Sequence, residues 1–387
     1  MKRIAVAKPK LAGNERQYVL DCLDTNWISS NGKYIPAFEE SFADFCGVKH
    51  AVATNNGTTA LHLALVGLGL QPGDEVIIPT VTYIATANAI RYCGAVPVLV
   101  DVCPDNMNID SSVIEAKITS RTKGIIAVHL YGHPAEMEAL NQIAEKHGLW
   151  VVEDAAEAHG AEVSGQRVGG LSNCGIFSFF GNKIVTTGEG GIITTNDSEL
   201  ASRLVLHRGQ GMDVNRRYWF PVVGYNYRMT NIQAAIGLAQ MERITSYLEE
   251  REQLAQWYSE ALSDMGDEIV LPSTRSWAKQ VFWMYNIFLK DGDAETRDAV
   301  MSELGNAGIE TRPVFYPMHV MPPYYEQASY PVADTWSARG INLPTHLEVS
   351  RSDVEYIASK LRLAIATVSD NRGLTSPVAE RRLRDAA

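Results

Sequence analysis

The sequence lacks the residue groupings that hold metals or contact nucleic acids. Its nine histidines and five cysteines form no CxxC, HxH or HExxH motif, although such spacings are typical of zinc sites. Acidic residues outnumber basic ones by 45 to 34, and the resulting formal charge of −11 opposes binding to a phosphate backbone. We therefore expect no metal centre and no nucleic-acid partner.

The sequence also has no long apolar run. No stretch approaches the roughly 18 uncharged residues that a transmembrane helix needs, and Lys8 and Lys10 interrupt the apolar residues near the start. The five cysteines are scattered, which is typical of reduced, cytosolic proteins. These absences lead us to expect a soluble, cytoplasmic protein with no membrane partner.

What the sequence does contain is a regular alternation of apolar, β-branched runs with amphipathic stretches. This alternation is typical of α/β proteins. Strands separated by helices imply a mainly parallel sheet, whose ligands bind at the carboxyl ends of the strands. The expected strands are residues 75–79, 95–101, 123–130, 149–154, 176–180 and 191–195, with a helix at 135–147.

The length of 387 residues exceeds one ordinary domain. We expect a large domain over residues 1–250 and a smaller C-terminal α/β domain over 251–368. Residues 229 to about 256 contain few helix breakers and are expected to form one long connecting helix. The polar and charged residues 369–387 are expected to be a disordered tail.

A glycine-rich segment around Lys183 is the strongest local signal. The sequence Ile-Phe-Ser-Phe-Phe-Gly-Asn-Lys ends at Lys183 and is followed by Thr-Thr-Gly-Glu-Gly-Gly from residue 186. A lysine buried at a strand end favours its neutral amine, because desolvation opposes the ammonium ion, and imine formation needs that neutral amine. Ser178 and the glycines would let a phosphate approach closely. The alternative is a surface lysine on a glycine-rich hairpin.

Further segments contain residues that could contact a cofactor. Asp154 ends an apolar strand, where a carboxylate needs a partner such as the protonated ring nitrogen of a cofactor; a helix N-cap is the alternative. Gly57 and Thr58 begin a helix, and their N–H groups could bind a phosphate or merely form part of a cap. Tyr83 could stack on a flat ring or fill the core.

Taken together and in this order, these segments resemble the sugar aminotransferase family named after DegT, DnrJ and StrS, within the fold type I enzymes. The resemblance runs from about residue 9 to about residue 363. Matching segments also include residues 27–35, 82–90, 129–134, 224–230 and 311–319. It implies a fold with a large domain around a mainly parallel sheet, a smaller C-terminal α/β domain and pyridoxal 5′-phosphate (PLP) as the cofactor.

The resemblance also implies a role for each matching residue. Lys183 would form the Schiff base and move the proton, and Asp154 would pair with the pyridine nitrogen. Glu157 would face the ring oxygen or the substrate. The remaining cofactor contacts would be Gly57, Thr58 and Ser178 at the phosphate, Asn226 from a neighbouring subunit, and Tyr83 stacked on the ring. Arg312, Tyr316 and His319 would face the sugar nucleotide, or else cap the domain interface.

The function implied by the resemblance is transfer of an amino group from L-glutamate to C4 of GDP-4-keto-6-deoxy-D-mannose. A UDP- or dTDP-linked keto-sugar, aminated at C3 or C4, is the alternative acceptor. Related sugar 3-dehydratases carry histidine at the Schiff-base position, so Lys183 disfavours that reaction. A catalytically silent binding protein on the same fold is the alternative from a different class. A homodimer or larger homo-oligomer is expected, because Asn226 would act across a subunit interface.

Overall fold

The computed structural model describes residues 3–372 of the chain. The helices within this range are α1 Glu15–Asp24, α2 Tyr34–Cys46, α3 Gly57–Gly67, α4 Ala85–Tyr92, α5 Met137–His147, α6 Ser198–Arg208, α7 Asn231–Met241, α8 Ile244–Ala261, α9 Ala294–Asn306, α10 Pro331–Arg339 and α11 Arg351–Arg372. The strands are β1 His50–Thr54, β2 Glu75–Pro79, β3 Val96–Val100, β4 Thr122–Val128, β5 Trp150–Asp154, β6 Glu162–Val163, β7 Gln166–Arg167, β8 Cys174–Ser178, β9 Gly191–Thr195, β10 Ile269–Val270, β11 Ala278–Lys279, β12 Tyr285–Leu289, β13 Arg312–Pro313 and β14 Gly340–Leu343.

A seven-stranded sheet forms the centre of the molecule. Its strand order is β1-β9-β8-β5-β4-β2-β3, and only β9 runs against its neighbours. The predicted α/β fold with a mainly parallel sheet is therefore confirmed. Successive residues of β2 alternate between two cores, with Val76 and Ile78 on one face and Ile77 on the other, as expected for a strand covered on both sides.

The strand that precedes the lysine segment ends earlier than predicted. It spans Cys174–Ser178 instead of 176–180, because its pairing with β9 stops at Ser178 opposite Gly191. The chain then turns, so Ser178 lies at the carboxyl end of a strand and not inside it. Asp154 ends the neighbouring parallel strand β5. The two residues therefore lie on the same edge of the sheet.

The single long helix expected over residues 229–256 is wrong. The chain forms two helices, and Arg243, with φ −119°, lies between them. The break lets α7 pack on α1 and α2, while α8 continues to pack on α11. The predicted domain boundary at residue 250 falls inside α8.

A second core surrounds a smaller, four-stranded sheet with the order β10-β12-β14-β13. All its pairs are antiparallel, and α8, α9 and α11 contribute to its core. Ile4 also lies in this core and its N–H donates to the Gly308 carbonyl at 2.9 Å. Ile4, which belongs to the predicted large domain, thus attaches to the core of the C-terminal part of the chain.

The last helix extends into the segment that we expect to be a tail. It reaches Arg372, so residues 369–372 are helical, and the rest of the predicted tail, residues 373–387, lies outside the described residues. None of the helices in residues 3–372 is both long enough and apolar enough to cross a membrane. The five cysteines are all free.

Candidate active site

Asp154 is a buried carboxylate held by uncharged donors. Its side chain is 5% exposed, the Thr86 hydroxyl donates to Oδ2 at 2.8 Å, and the Ala156 N–H donates to Oδ1 at 3.3 Å. Burial raises the pKa of the Asp154 carboxyl, and these two hydrogen bonds oppose that effect. A buried carboxylate whose direct partners are neutral is well suited to receive a cationic ligand group.

Glu157 and Lys183 form an ion pair at the same edge of the sheet. The Lys183 Nζ lies 3.3 Å from Glu157 Oε1, and the Tyr131 N–H donates to Glu157 Oε2 at 2.9 Å. Burial raises the pKa of the Glu157 carboxyl, while the positive charge of Lys183 acts in the opposite direction. The carboxylate thus holds the lysine head group beside the loop that follows β4.

Lys183 lies in the turn between β8 and β9, and its own N–H donates to the Phe180 carbonyl at 2.9 Å. Its side chain is 12% exposed, which excludes the alternative of a surface lysine on a hairpin. Nζ lies 3.8 Å from the ring centroid of Trp283. The amine is therefore enclosed by a carboxylate and an aromatic ring, and still has some access to solvent.

The start of α3 forms a cradle next to Ser178. Asn56 caps the helix, since its side chain accepts from the Thr59 N–H while the Thr59 hydroxyl accepts from the Asn56 N–H. The N–H groups of Gly57 and Thr58 begin the helix, where N–H groups have no acceptor within the helix itself. A Cβ atom at Gly57 would lie 2.7 Å from Ser178 Cβ, so only glycine fits there. Such helix starts bind phosphate groups.

These features match the parts of PLP one by one. The lysine can bond an aldehyde carbon, the buried Asp154 can accept from a protonated ring nitrogen, and the start of α3 with Ser178 can hold a phosphate. The residues present therefore fit this cofactor. Within residues 3–372, no group of three or more histidine, cysteine or acidic side chains is arranged to hold a metal ion.

Two further residues expected at the cofactor are exposed in the single chain. Tyr83 is 59% exposed, and its ring centroid lies 5.9 Å from that of Phe315. Asn226 is exposed, and its side-chain oxygen accepts from Arg228 Nη2 at 3.1 Å. The backbone that carries Asn226 runs beside the cradle, because the Asn55 N–H donates to the carbonyl of the following residue, Tyr227, at 2.9 Å. Their predicted contacts with the cofactor stay predictions.

The three residues expected at the sugar nucleotide differ in their placement. Arg312 and Tyr316 are about half exposed, at 47% and 50%. His319 is 3% exposed, and its ring nitrogens lie 2.8 Å from the Thr80 hydroxyl and 2.9 Å from Asp334. The structure therefore presents Arg312 and Tyr316 to solvent, whereas His319 ties its loop to the end of β2. That placement favours a supporting role for His319.

Three residues that contact the site are not predicted from the sequence. Thr86 lies three residues after Tyr83 in the matching segment 82–90 but has no role assigned to it. Tyr131 belongs to a matching segment but has no role assigned to it. Trp283 lies about 100 residues beyond Lys183, and no local pattern brings the two together.

Comparison with known proteins links these features to one family. Residues 9–362 match the DegT/DnrJ/EryC1/StrS aminotransferase family. The chain is 55% identical over 363 residues to the GDP-perosamine synthase of Caulobacter vibrioides, covering 93% of this chain and 98% of that protein. It is 46% identical over 365 residues to the GDP-perosamine synthase of Escherichia coli O157:H7, with the same two coverages.

Solved structures show the same architecture. The putative sugar aminotransferase Spr1654 of Streptococcus pneumoniae, in its PMP form, superposes with a TM-score of 0.92 at 27% identity, covering 96% of this chain and all of that one. DesI, solved in the presence of its TDP-sugar product, superposes with a TM-score of 0.90 at 31% identity, covering 96% of this chain and 95% of that one.

Proposed function

We propose, from the premise that this chain belongs to the DegT/DnrJ/EryC1/StrS aminotransferase family, that it transfers the amino group of L-glutamate to C4 of GDP-4-keto-6-deoxy-D-mannose. The products would be GDP-perosamine and 2-oxoglutarate. The observation that carries the choice of sugar is the 55% identity to a GDP-perosamine synthase across nearly the whole of both chains. The chain is thus a PLP-dependent sugar transaminase, as its motifs predicted.

Lys183 is the residue that we propose bonds the cofactor and carries the proton. PLP, when bound, supplies an electron sink that weakens the bond between the α-carbon of glutamate and its hydrogen. Nζ of Lys183 would take the proton from that carbon in the first stage and deliver one to C4 of the sugar in the second. Glu157 supports this role, because its carboxylate lies 3.3 Å from Nζ and limits where the amine can go.

Asp154 would keep the ring nitrogen of the cofactor protonated. Its burial means that it interacts strongly with any charge placed beside it, because the local dielectric constant is low. Thr86 would fix the orientation of the carboxylate through the hydrogen bond of 2.8 Å. Gly57, Thr58 and Ser178 would bind the phosphate, and Tyr83 would stack on the ring.

A homodimer is part of this proposal, because Asn226 would complete the phosphate site of a neighbouring subunit. The exposure of Asn226 supports this, as do the exposed apolar side chains shortly before it in the chain. Four of them, at positions 218, 219, 220 and 223, are between 51% and 87% exposed: Tyr218, Trp219, Phe220 and Val223. Clustered apolar exposure of this kind is typical of protein interfaces.

Mixing two inactive variants tests the proposed sharing of the site. Lys183→Ala and Asn226→Ala should each be inactive. When the two are unfolded and refolded together, half of the dimers should contain one subunit of each variant, and each such dimer has one intact site out of two. The mixture should therefore recover about one quarter of the wild-type activity. Each variant refolded alone is the control. If the mixture stays inactive while Asn226→Ala alone is inactive, Asn226 acts within its own chain.

A panel of acceptors tests the proposed reaction. The protein, PLP and glutamate labelled with heavy nitrogen would be incubated with GDP-, UDP- and dTDP-linked 4-keto-6-deoxy sugars. We expect the label to appear in the GDP sugar, as judged by mass analysis, with Lys183→Ala as the negative control. Label found only in a UDP or dTDP sugar would overturn the choice of nucleotide, and no visible absorbance after PLP addition would favour a silent binding protein.

A further inference from the structure

Trp283 contacts the amine of Lys183 although it lies 100 residues further along the chain. It lies in the segment that leads into β12, and its side chain is 5% exposed. Nζ of Lys183 lies 3.8 Å from the ring centroid, and the indole N–H donates to the Asn182 carbonyl at 2.8 Å. One side chain thus contacts the lysine head group and also anchors the residue just before the lysine.

The lysine amine therefore has two partners of different chemistry, the carboxylate of Glu157 and the aromatic face of Trp283. An ammonium ion is attracted to an indole face, and this attraction is stronger where water is excluded. The lysine must leave the cofactor whenever the cofactor carries the amino group, so its amine is free during part of the cycle.

We infer that Trp283 is a positioning residue, whose ring and the carboxylate of Glu157 together hold the free Lys183 amine during the part of the cycle in which it is not bonded to the cofactor. The inference rests on the proposed function of Lys183. A free lysine side chain samples many rotamers. Holding it near the reacting carbons keeps it ready to move the proton.

The ring of Trp283 is fixed firmly enough for this role. Tyr131 stacks on it, with the ring centroids 6.1 Å apart and the planes inclined by 10°. Gly132 lies against its backbone, where an added Cβ atom would come within 2.9 Å of the Trp283 nitrogen. Two non-glycine residues here, Tyr131 and Phe282, have positive φ, at 54° and 47°. Strained backbone of this kind persists where the surroundings enforce it, and it is common at functional sites.

The buried Arg251 holds the backbone around Trp283 through hydrogen bonds to carbonyl groups. Nη1 of Arg251 donates to the carbonyls of Phe282, Trp283 and Thr345 at 3.3, 3.2 and 3.0 Å. Burial lowers the pKa of Arg251 to about 10, so the guanidinium stays charged at neutral pH. The position of the indole is thus set by stacking, by backbone contact and by these three hydrogen bonds.

Nuclear magnetic resonance of the apoprotein, labelled at lysine Cε, tests the contact without turnover. Protons above an aromatic ring are shifted upfield, so one lysine signal should lie upfield of the others and disappear in Lys183→Ala. We expect that shift to shrink in Trp283→Phe, which keeps a ring, and to vanish in Trp283→Leu. Trp336→Leu, which removes a half-buried indole that packs on Phe288, should leave the signal in place.

Kinetics of the two variants then test the consequence. Both lose the hydrogen bond to Asn182, so the difference between them reports on the aromatic ring, including its packing on Tyr131. We expect Trp283→Leu to lower kcat by about 2- to 30-fold relative to Trp283→Phe, the range expected for a cation–π contact. The KM for glutamate should stay within about twofold, since glutamate binding itself is not altered.

An upfield lysine signal lost in Trp283→Leu, together with the ordered kcat values, would support the inference. The absence of any upfield signal in the wild-type apoprotein would overturn it, and so would equal kcat values for the two variants. Failure of the proposed function is separate, because it would appear as wild-type protein that forms no amino sugar, whatever the position of the lysine signal.

Discussion

The two sides of the active site are built differently. At the carboxyl edge of the central sheet, Asp154, Glu157 and Lys183 are nearly enclosed, and each has partners within the chain. On β13 and the loop that follows it, Arg312 and Tyr316 are about half exposed. The nearest partners of that second pair lie further away, with Glu310 at 3.8 Å from Arg312 and Arg297 at 3.5 Å from Tyr316.

Burial explains the contrast. A charged group removed from water is stable only when hydrogen bonds or opposite charges replace the lost water. The cofactor side must therefore be largely assembled in the folded chain before any ligand arrives. Exposed side chains remain hydrated and need no such partners, so the substrate side can take its final arrangement when the sugar nucleotide binds. If this comparison is right, substitutions on the two sides should alter different steps of the reaction.

Removal of the lysine amine should have the largest effect. Lys183→Ala should lower turnover by about 1000-fold or more, because both the covalent bond to the cofactor and the proton carrier are lost. Steady-state assays and the visible absorbance after PLP addition would measure the loss. Lys49→Ala, at an exposed lysine, is the matched control. Turnover in Lys183→Ala close to that of this control would contradict the role assigned to the Lys183 amine.

Loss of the buried charge should come next. Asp154→Asn keeps the shape of the side chain but removes the partner of the protonated ring nitrogen, so kcat should fall by about 100-fold or more. Thr86→Val, which removes only the hydroxyl that donates at 2.8 Å, should lower kcat by about tenfold. Steady-state assays with both substrates give the two kcat values, and stopped-flow measurement with glutamate alone shows how far the first stage is slowed. A larger effect from Thr86→Val than from Asp154→Asn would contradict the assigned roles.

A substitution on the exposed side should affect one substrate and leave the other untouched. Arg312→Ala should raise the KM for the GDP sugar by about tenfold, the loss of one contact to an anionic ligand. The reaction with glutamate alone should keep its rate, because that stage does not involve the nucleotide. Equal damage to both stages would mean that Arg312 supports the cofactor side, and that the two sides are not separable.

The smallest effect concerns a buried histidine behind the site. His159 is enclosed by phenylalanine rings, and burial lowers its pKa to about 3. The unfolded chain therefore binds a proton below about pH 6.5 that the folded chain does not, so stability falls as the pH drops from 6.5 towards 3. His159 should contribute a loss of about 2 kcal/mol at pH 5 for a folded-state pKa of about 3.

Denaturant unfolding of the apoprotein at pH 7 and pH 5 measures this contribution. The loss of stability between the two pH values should be smaller in His159→Phe than in the wild type, whereas His207→Gln, at a histidine near the surface, should retain the wild-type loss. An unchanged acid loss in His159→Phe would mean that other buried groups dominate.

The sequence predicts the fold well because its signals are local. Apolar runs bounded by polar residues mark strands such as Glu75–Pro79 and Gly191–Thr195 at the bounds where the structure has them. Two of the differences from the prediction have physical causes that a single segment does not reveal. The helix expected over residues 229–256 breaks at Arg243 because its two halves pack on different partners, and β8 ends early because its partner strand begins at Gly191.

The candidate site also combines residues with a local sequence signal and residues that only the tertiary fold brings in. Asp154 and Lys183 stand beside patterns that can be seen in the sequence, namely a buried strand and a glycine-rich turn. Trp283 and Arg251 have no such pattern, since only the tertiary fold brings them to the lysine and its surroundings. His319 was expected at the substrate because of its neighbours in the sequence, yet its side chain turns inward to Thr80 and Asp334.

The central claim is that Lys183, and no other lysine, bonds the cofactor. Reduction of the PLP-loaded protein with borohydride, followed by digestion and mass analysis of the peptides, would fix the cofactor to the lysine that carries it. We predict a single pyridoxyl group, on the peptide containing Lys183. A pyridoxyl group on a different lysine, or none on the Lys183 peptide, would contradict the account.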